Sequence, residues 1–265
     1  MKYLFNEWGK LSEEFKDKHL FLFLDYDGSL TPIVATPKQA IIPKQAKELL
    51  EKLSKKAEYK IAIISGRALR DIREKVGLKN IIYVGNHGAE IKGPKIKFES
   101  PISPRCRAIL DHIKTDLENK LSSIRGAILE DKGLSLSVHF RMVDKKQIPQ
   151  VKAIVHECVI LYLVRSKIKI KSGKMVLEIR LPLEWDKGKV VLWLLARQKF
   201  TMREKPFVPI YIGDDRTDED AFKVLKNKGL TIFVGEPKPS HAQYYLKNPR
   251  EVTQFLERIL DLKKA

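Results

Sequence analysis

Four short apolar runs, each stopping at a cluster of polar or glycine residues, limit most tightly what this chain can fold into. Phe21-Leu22-Phe23-Leu24 runs into Asp25-Tyr26-Asp27-Gly28, and Lys60-Ile61-Ala62-Ile63-Ile64 into Ser65-Gly66-Arg67. Ile81-Ile82-Tyr83-Val84 runs into Gly85-Asn86-His87-Gly88-Ala89-Glu90, and Val208-Pro209-Ile210-Tyr211-Ile212 into Gly213-Asp214-Asp215. Runs without polar alternation read as strands buried on both faces. Between them lie segments of helical period: 45–56, with Ala46, Leu49, Leu50 and Leu53 on one face, 68–76 closed by Gly77, 190–199 and 219–227. Strand alternating with helix predicts βαβ units, hence an α/β fold with a doubly wound parallel sheet. A short helix within 6–18, a further strand at Thr231-Ile232-Phe233-Val234 and a closing helix over 251–262 complete that pattern.

The rhythm breaks near Pro101 and Pro104 and resumes between Pro182 and Lys187. The intervening stretch reads helix (106–122), strand pair (127–130 and 134–141, turning at Asp131-Lys132-Gly133), helix (148–164), strand pair (167–171 and 175–181, turning at Ser172-Gly173). Short turns make both pairs antiparallel. Alternating Lys and Ile in Lys167-Ile168-Lys169-Ile170-Lys171 gives that strand one wet, positive face. The expected division is a core from 1–100 and 184–265, interrupted by an inserted α+β module at 101–183.

At 265 residues the chain can bury a sizeable core, and 43% hydrophobic with 32% charged residues suits a soluble protein. No apolar stretch is long enough to span a membrane, and the first residues carry no apolar signal core. With only Cys106 and Cys158, unsuited in spacing to a metal site, the expectation is a reduced, cytoplasmic protein. A net charge of +18 fits an anionic substrate or a lysine-rich surface. Nucleic-acid recognition motifs are missing, so that partner class is disfavoured.

In an open parallel sheet, ligands gather where the strands end. Asp25 and Asp27, two apart, leave their strand toward the same side. Paired carboxylates cost stability unless a cation or a reacting group uses them, although Asp-x-Asp-Gly is also an ordinary strand-to-turn ending. Asp214 follows a buried strand, and Asp215, Asp218 and Asp220 thicken the acidic cluster there or favour a helix N-terminus. The two acidic ends offer hard oxygen ligands suited to Mg²⁺. Lys187, re-entering the core, can hold a phosphate oxygen beside a carboxylate or be one more surface lysine. Ser65 can cap the following helix, bind a phosphoryl oxygen, or both.

In combination these motifs resemble the haloacid dehalogenase-like phosphatases: Asp-x-Asp-Gly-Ser-Leu, a hydroxyl after the second strand, a later lysine and a final Gly-Asp-Asp. Longer strings are similar to the trehalose-6-phosphate phosphatase branch, from Asp25-Tyr26-Asp27-Gly28-Ser29-Leu30-Thr31-Pro32 to Gly213-Asp214-Asp215-Arg216-Thr217-Asp218-Glu219-Asp220-Ala221-Phe222. Val138-His139-Phe140-Arg141 and Leu177-Glu178-Ile179-Arg180 match within the insert. Ser29 departs from the usual Thr but keeps the hydroxyl.

The resemblance implies a Rossmann-like core, Asp25 as nucleophile and Asp27 as proton donor and acceptor. It places Mg²⁺ on Asp25, the Asp27 carbonyl and Asp214, with Asp215 and Asp218 orienting that shell, and has Ser65 and Lys187 neutralise the phosphoryl group. It further implies a cap that closes over the sugar, and points to Arg67, Asn86, His87, Glu130, Lys132, Arg141, Lys174 and Glu178 for substrate binding. Glu178 could instead pair with Arg141 across the cap sheet. A synthase that makes the phosphorylated disaccharide is the implied pathway partner. Competing readings are a phosphatase for another sugar phosphate, a regulatory module without turnover, and a basic nucleic-acid binder.

Overall fold

The computed structural model describes residues 1–201 and 207–262. In chain order the elements are β1 (Lys2–Tyr3), α1 (Trp8–Phe15), β2 (His19–Asp25), α2 (Lys44–Ser54), β3 (Tyr59–Ile64), α3 (Leu69–Val76), β4 (Ile82–Gly85), β5 (Glu90–Gly93) and β6 (Ile96–Glu99). There follow α4 (Pro104–Leu121), β7 (Ile128–Asp131), β8 (Ser135–His139), α5 (Ile148–Val164), β9 (Lys169–Gly173) and β10 (Val176–Arg180). The chain ends with α6 (Lys187–Thr201), β11 (Phe207–Gly213), α7 (Glu219–Leu225), β12 (Leu230–Val234), β13 (Tyr244–Leu246) and α8 (Pro249–Asp261). Two compact units result: one from Met1–Ile33, Ala40–Phe98 and Trp185 onward, the other from Val34–Gln39 and Glu99–Glu184.

The first unit holds a nine-stranded sheet in the order β1-β13-β12-β11-β2-β3-β4-β5-β6. Its centre is parallel, with β2 hydrogen-bonded to β11 on one side and β3 on the other. Apolar side chains from one sheet face and the helices covering it pack together, Phe21, Phe23, Tyr211 and Phe222 among them, while Leu20, Leu22 and Leu24 are buried on the opposite face. Each such burial contributes about 1.5–3 kcal/mol. In α8, Val252, Phe255, Leu256 and Ile259 recur at helical spacing and are buried, and Asn248 caps the helix by accepting from the amides of Arg250 and Glu251. Gly77 ends α3 in the left-handed conformation that glycine adopts without strain.

The expected α/β fold with a large parallel sheet is present, and β5, antiparallel to β4, extends one edge of it together with β6. The short strands β1, β5, β6 and β13 carry too few apolar residues to announce themselves, and gain their order from the neighbouring strand. The short helix expected within 6–18 is α1, with a 3-10 turn over Leu4–Glu7 ahead of it. The acidic stretch after β11 likewise makes a 3-10 turn, Arg216–Asp218, before α7.

In the second unit, α4 and α5 pack on a four-stranded antiparallel sheet ordered β7-β8-β10-β9. Pro104 opens α4, where a missing N–H costs nothing, and Ser103 caps it by accepting from the Cys106 amide at 3.2 Å. The turn between β9 and β10 lies at Lys174 and Met175, two residues later than predicted, with Met175 at φ 65°. Segment Val34–Gln39 also belongs to this unit. Nothing in its composition foretold that.

Candidate active site

Because β2 and β11 are neighbours in register, with Ile212 opposite Leu24, their last residues bring Asp25 and Asp214 to one end of the sheet. Carboxylate oxygens of Asp25, Asp214 and Asp218 lie within 4.8 Å of one another, and all three residues are buried. Lys187, the first residue of α6, donates to Asp25 Oδ1 and to Asp218 Oδ1, each at 2.7 Å. Three carboxylates and one ammonium thus gather at one point, and the carboxylate oxygens are hard donors of the kind a divalent cation takes. Burial pushes the Asp25 carboxyl well above its usual range; Lys187 pulls it down, while Asp218 and Asp214 add to the rise. For Lys187, burial opposes the charge, but Asp218 and Asp25 outweigh it and hold the proton firmly.

Asp218 is bound more fully than its neighbours. Its Oδ1 accepts from Lys187 and from the Tyr211 hydroxyl at 2.7 Å, and its Oδ2 accepts from the amides of Asp214 at 3.0 Å and Asp215 at 2.9 Å. Both oxygens thus have two donors, so Asp218 orients Lys187 and the Asp214 backbone. Asp215 closes the 3-10 turn by accepting from the Arg216 amide at 2.7 Å. Gly28 stands at φ +93°, and a Cβ there would collide with the Asp214 carboxylate. The close approach of the post-β2 turn to Asp214 therefore requires glycine at this position.

That turn closes on the Tyr26 carbonyl, which accepts from the Leu30 and Thr31 amides and from the Thr31 hydroxyl at 3.1 Å. Asp27 lies past the end of β2, where strand alternation no longer fixes its direction. Among the described residues, it and Asp25 take different partners. Asp25 bonds Lys187, whereas both Asp27 oxygens accept from Arg67, Oδ2 from Nε and Oδ1 from Nη2, each at 2.7 Å. Ser29 Oγ is buried and makes no hydrogen bond among the described residues.

Ser65 does not cap α3, whose N-cap is Ala68; its hydroxyl accepts from the Arg67 amide at 3.1 Å and closes the turn after β3. Arg67, expected at the substrate, is buried against Asp27 and Asp71. Asn86 and His87 both adopt positive φ (46° and 55°), uncommon for these residues. Asn86 Nδ2 donates to Glu90 Oε2 at 2.6 Å, and Glu90 also accepts from the Leu69 amide. The His87 ring lies where a Cβ on Gly66 would be, so Gly66 makes room for it.

In the second unit Glu130 and Glu178 lie on the sheet, while Lys132, Arg141 and Lys174 lie just beyond strand ends. Glu130 stands opposite Ser137, which stands opposite Glu178, forming a polar row across three strands. Glu130 Oε2 is 2.8 Å from His139 Nε2. Glu178 accepts from Lys132 at 3.3 Å and Ser135 at 3.4 Å, and pairs with Arg180. The alternative of a Glu178–Arg141 pair does not form: Arg141 Nη2 donates to the Lys174 carbonyl at 2.7 Å. Sequence reasoning missed Tyr211, Asp71 and Arg180. Tyr211 was hidden because a tyrosine inside an apolar strand reads as core.

A central parallel sheet with an aspartate-bearing turn, a lysine-led helix and an acidic loop at its strand ends defines a haloacid dehalogenase-like protein. A family model described as trehalose-phosphatase matches residues 23–250. Probable trehalose-phosphate phosphatase 4 of Oryza sativa subsp. japonica is 39% identical over 98% of this chain and 71% of its own. Trehalose-phosphate phosphatase B of Arabidopsis thaliana is 36% identical with the same coverage of both chains. Among solved structures, the C-terminal domain of the C. albicans trehalose-6-phosphate phosphatase superposes with a TM-score of 0.81 at 26% identity, covering 96% of each chain. The chain belongs to the trehalose-phosphatase family, whose members are phosphoric monoester hydrolases. No helix among the described residues is long and apolar enough to cross a membrane.

Proposed function

We propose that this chain hydrolyses trehalose 6-phosphate to trehalose and phosphate through an aspartyl-phosphate, with Mg²⁺ as cofactor. The observation that carries the reading is the buried group of Asp25, Asp214, Asp218 and Lys187 at the ends of two paired strands. Its hard oxygen donors fit a small divalent cation, which Asp25 and Asp214 would hold, with Asp218 occupied by its four donors. The cation supplies charge neutralisation at the phosphoryl oxygens.

Asp25 attacks phosphorus; an O–P bond forms from its carboxylate as the bond from phosphorus to the sugar oxygen breaks. Asp27 gives its proton to the departing sugar oxygen. Water then attacks the phosphoryl group, its proton passes to Asp27, and the Asp25–phosphorus bond breaks, which restores both carboxyl groups. Lys187 holds Asp25 Oδ1 in place and receives phosphoryl charge, as does the Ser65 hydroxyl. Trehalose offers only hydroxyls for recognition, and the Glu130–Ser137–Glu178 row with Lys132 provides fixed donors and acceptors suited to them. Arg141, Lys174, Asn86 and His87 are further candidate contacts. A synthase that makes the phosphorylated disaccharide is the partner this reading implies.

Phosphate release from a panel of sugar phosphates tests the substrate. Trehalose 6-phosphate should exceed glucose 6-phosphate and sucrose 6-phosphate at least tenfold in kcat/KM, and activity should vanish with chelator and return with magnesium. A tenfold preference for another sugar, or turnover indifferent to chelation, overturns the corresponding part.

A further inference from the structure

In the sheet of the second unit, one buried hydroxyl has a carboxylate residue on either side and bonds neither. Leu136, Val138, Ile170 and Ile179 of that sheet pack with α4 and α5. Strand alternation therefore turns Ser135, Ser137 and His139 of β8, and Glu178 of β10, to the other face. Register sets Ser137 directly between Glu130 and Glu178, where opposed side chains start about 4.5–5.5 Å apart. Ser137 is fully buried, and its Oγ has no hydrogen-bond partner among the described residues. Ser135, two residues earlier on the same face, does donate to Glu178, at 3.4 Å.

The two glutamates turn away from Ser137 in opposite directions along β8. Glu130 Oε2 is 2.8 Å from His139 Nε2, whereas Glu178 is bonded to Lys132 and Ser135 and paired with Arg180. A buried hydroxyl without a partner costs stability that alanine in its place would not. A sugar hydroxyl has one hydrogen to give and lone pairs to fill; a carboxylate only accepts, so it takes the hydrogen and leaves the lone pairs. The Ser137 hydroxyl can supply the missing donor, and a sugar O–H bonded in both senses is polarised by each partner. We propose that Ser137 is a substrate-binding residue at the floor of the sugar site: its hydroxyl donates to one hydroxyl of the disaccharide, which in turn donates to Glu130 or Glu178. Glu130, with a side chain 24% exposed, moves to the sugar and uncovers the serine as it does so. This inference rests on trehalose 6-phosphate as the substrate. It assigns to Ser137, a residue that the sequence motifs do not single out, the donor that the flanking carboxylates lack.

Substrates with and without the sugar test it. Ser137→Ala should raise KM for trehalose 6-phosphate about 3- to 10-fold, the worth of one neutral hydrogen bond, with kcat within about twofold of the parent. On p-nitrophenyl phosphate, which carries no sugar, KM and kcat should both stay within about twofold. Monodeoxy trehalose 6-phosphates supply the second arm. On the analogue that lacks the contacted hydroxyl, the parent should lose what Ser137→Ala loses on the full substrate, and Ser137→Ala should fall no more than about twofold below the parent. The thermal midpoint of Ser137→Ala, read by calorimetry, should not drop by more than about 3 °C, since the free protein spends no bond on this hydroxyl.

An equal penalty on p-nitrophenyl phosphate, or an undiminished penalty for Ser137→Ala on every monodeoxy analogue, would show that the serine acts through the protein and overturn the proposal. A larger drop in midpoint would overturn it too, by showing the hydroxyl already bonded in the free protein. If the parent prefers trehalose 6-phosphate to other sugar phosphates and Ser137→Ala matches it in KM, the inference alone falls. If the parent shows no such preference, the substrate reading falls and takes the inference with it.

Discussion

Replacing Asp218 by asparagine changes only which atoms sit at the tips of a fully buried side chain, yet the surrounding donors predict a large effect. Oδ1 accepts from Lys187 and Tyr211, and Oδ2 from two backbone amides. An asparagine amide offers one oxygen and one NH₂. Turned one way, the NH₂ faces the Asp214 and Asp215 amides, and two buried donors lose their acceptor. Turned the other, it faces Lys187 and Tyr211; the tyrosine hydroxyl can rotate to accept, but the ammonium cannot. The cheaper orientation therefore still sets donor against donor at a buried cation, and the cost is about 2–5 kcal/mol. Against a typical total of about 5–15 kcal/mol that is a severe loss. Relief of repulsion on Asp25 and Asp214 acts in the opposite direction, so the comparison belongs in excess magnesium, where a cation bound as proposed would offset that repulsion. Trp8, Trp185 and Trp193 all lie in the first unit, so intrinsic fluorescence follows its unfolding. The thermal midpoint should fall by at least about 5 °C. A midpoint within 1 °C of the parent would refute the four-donor account.

Two further substitutions test other parts of the site. Because Asp25 is raised by burial, the native chain binds more protons than the unfolded chain between the ordinary carboxylate range and that raised value. Without divalent cation, stability should accordingly fall as pH rises through this window. Asp25→Asn should flatten that slope, match or exceed the parent midpoint in chelator, and abolish turnover; a steeper slope or retained turnover would contradict the assignment. Ser29→Ala removes a buried hydroxyl that has no partner among the described residues, so it should be neutral or stabilising by up to about 1 kcal/mol in urea titration. Destabilisation beyond 1 kcal/mol would reveal an unrecognised bond.

The parts of this molecule legible in the sequence are those where apolar pattern and chain break coincide. β2, β3, β11 and α8 carry periodic apolar residues bounded by glycine, aspartate or a cap, and each forms within a residue or two of its expected range. The edge strands β1, β5, β6 and β13 were illegible because their order comes from the neighbour they bond to. In the site, Asp25 and Asp214 were readable as carboxylates at strand ends, and Lys187 as a lysine where the chain re-enters the core. Asp27 and Arg67 were not readable as a pair, because the direction of Asp27 is set by the turn on the Tyr26 carbonyl and not by strand period. Ser65 misled for a related reason: the turn after β3 is longer than a simple cap, and α3 starts four residues on.

The pairing of β2 with β11 has a kinetic consequence. Asp25 and its partner Lys187 are 162 residues apart in the chain, and the second unit lies wholly between them in sequence. Closing a flexible loop of that length is slow and entropically costly. If the second unit collapses first on its own helices and sheet, it shortens the span that β11 must search across to find β2. The insert would then act on the catalytic strands before any substrate arrives, as a folding aid whose destabilised variants refold slowly while leaving the finished site intact. Stopped-flow refolding followed by tryptophan fluorescence would read that delay directly, since every tryptophan reports on the unit that has to wait.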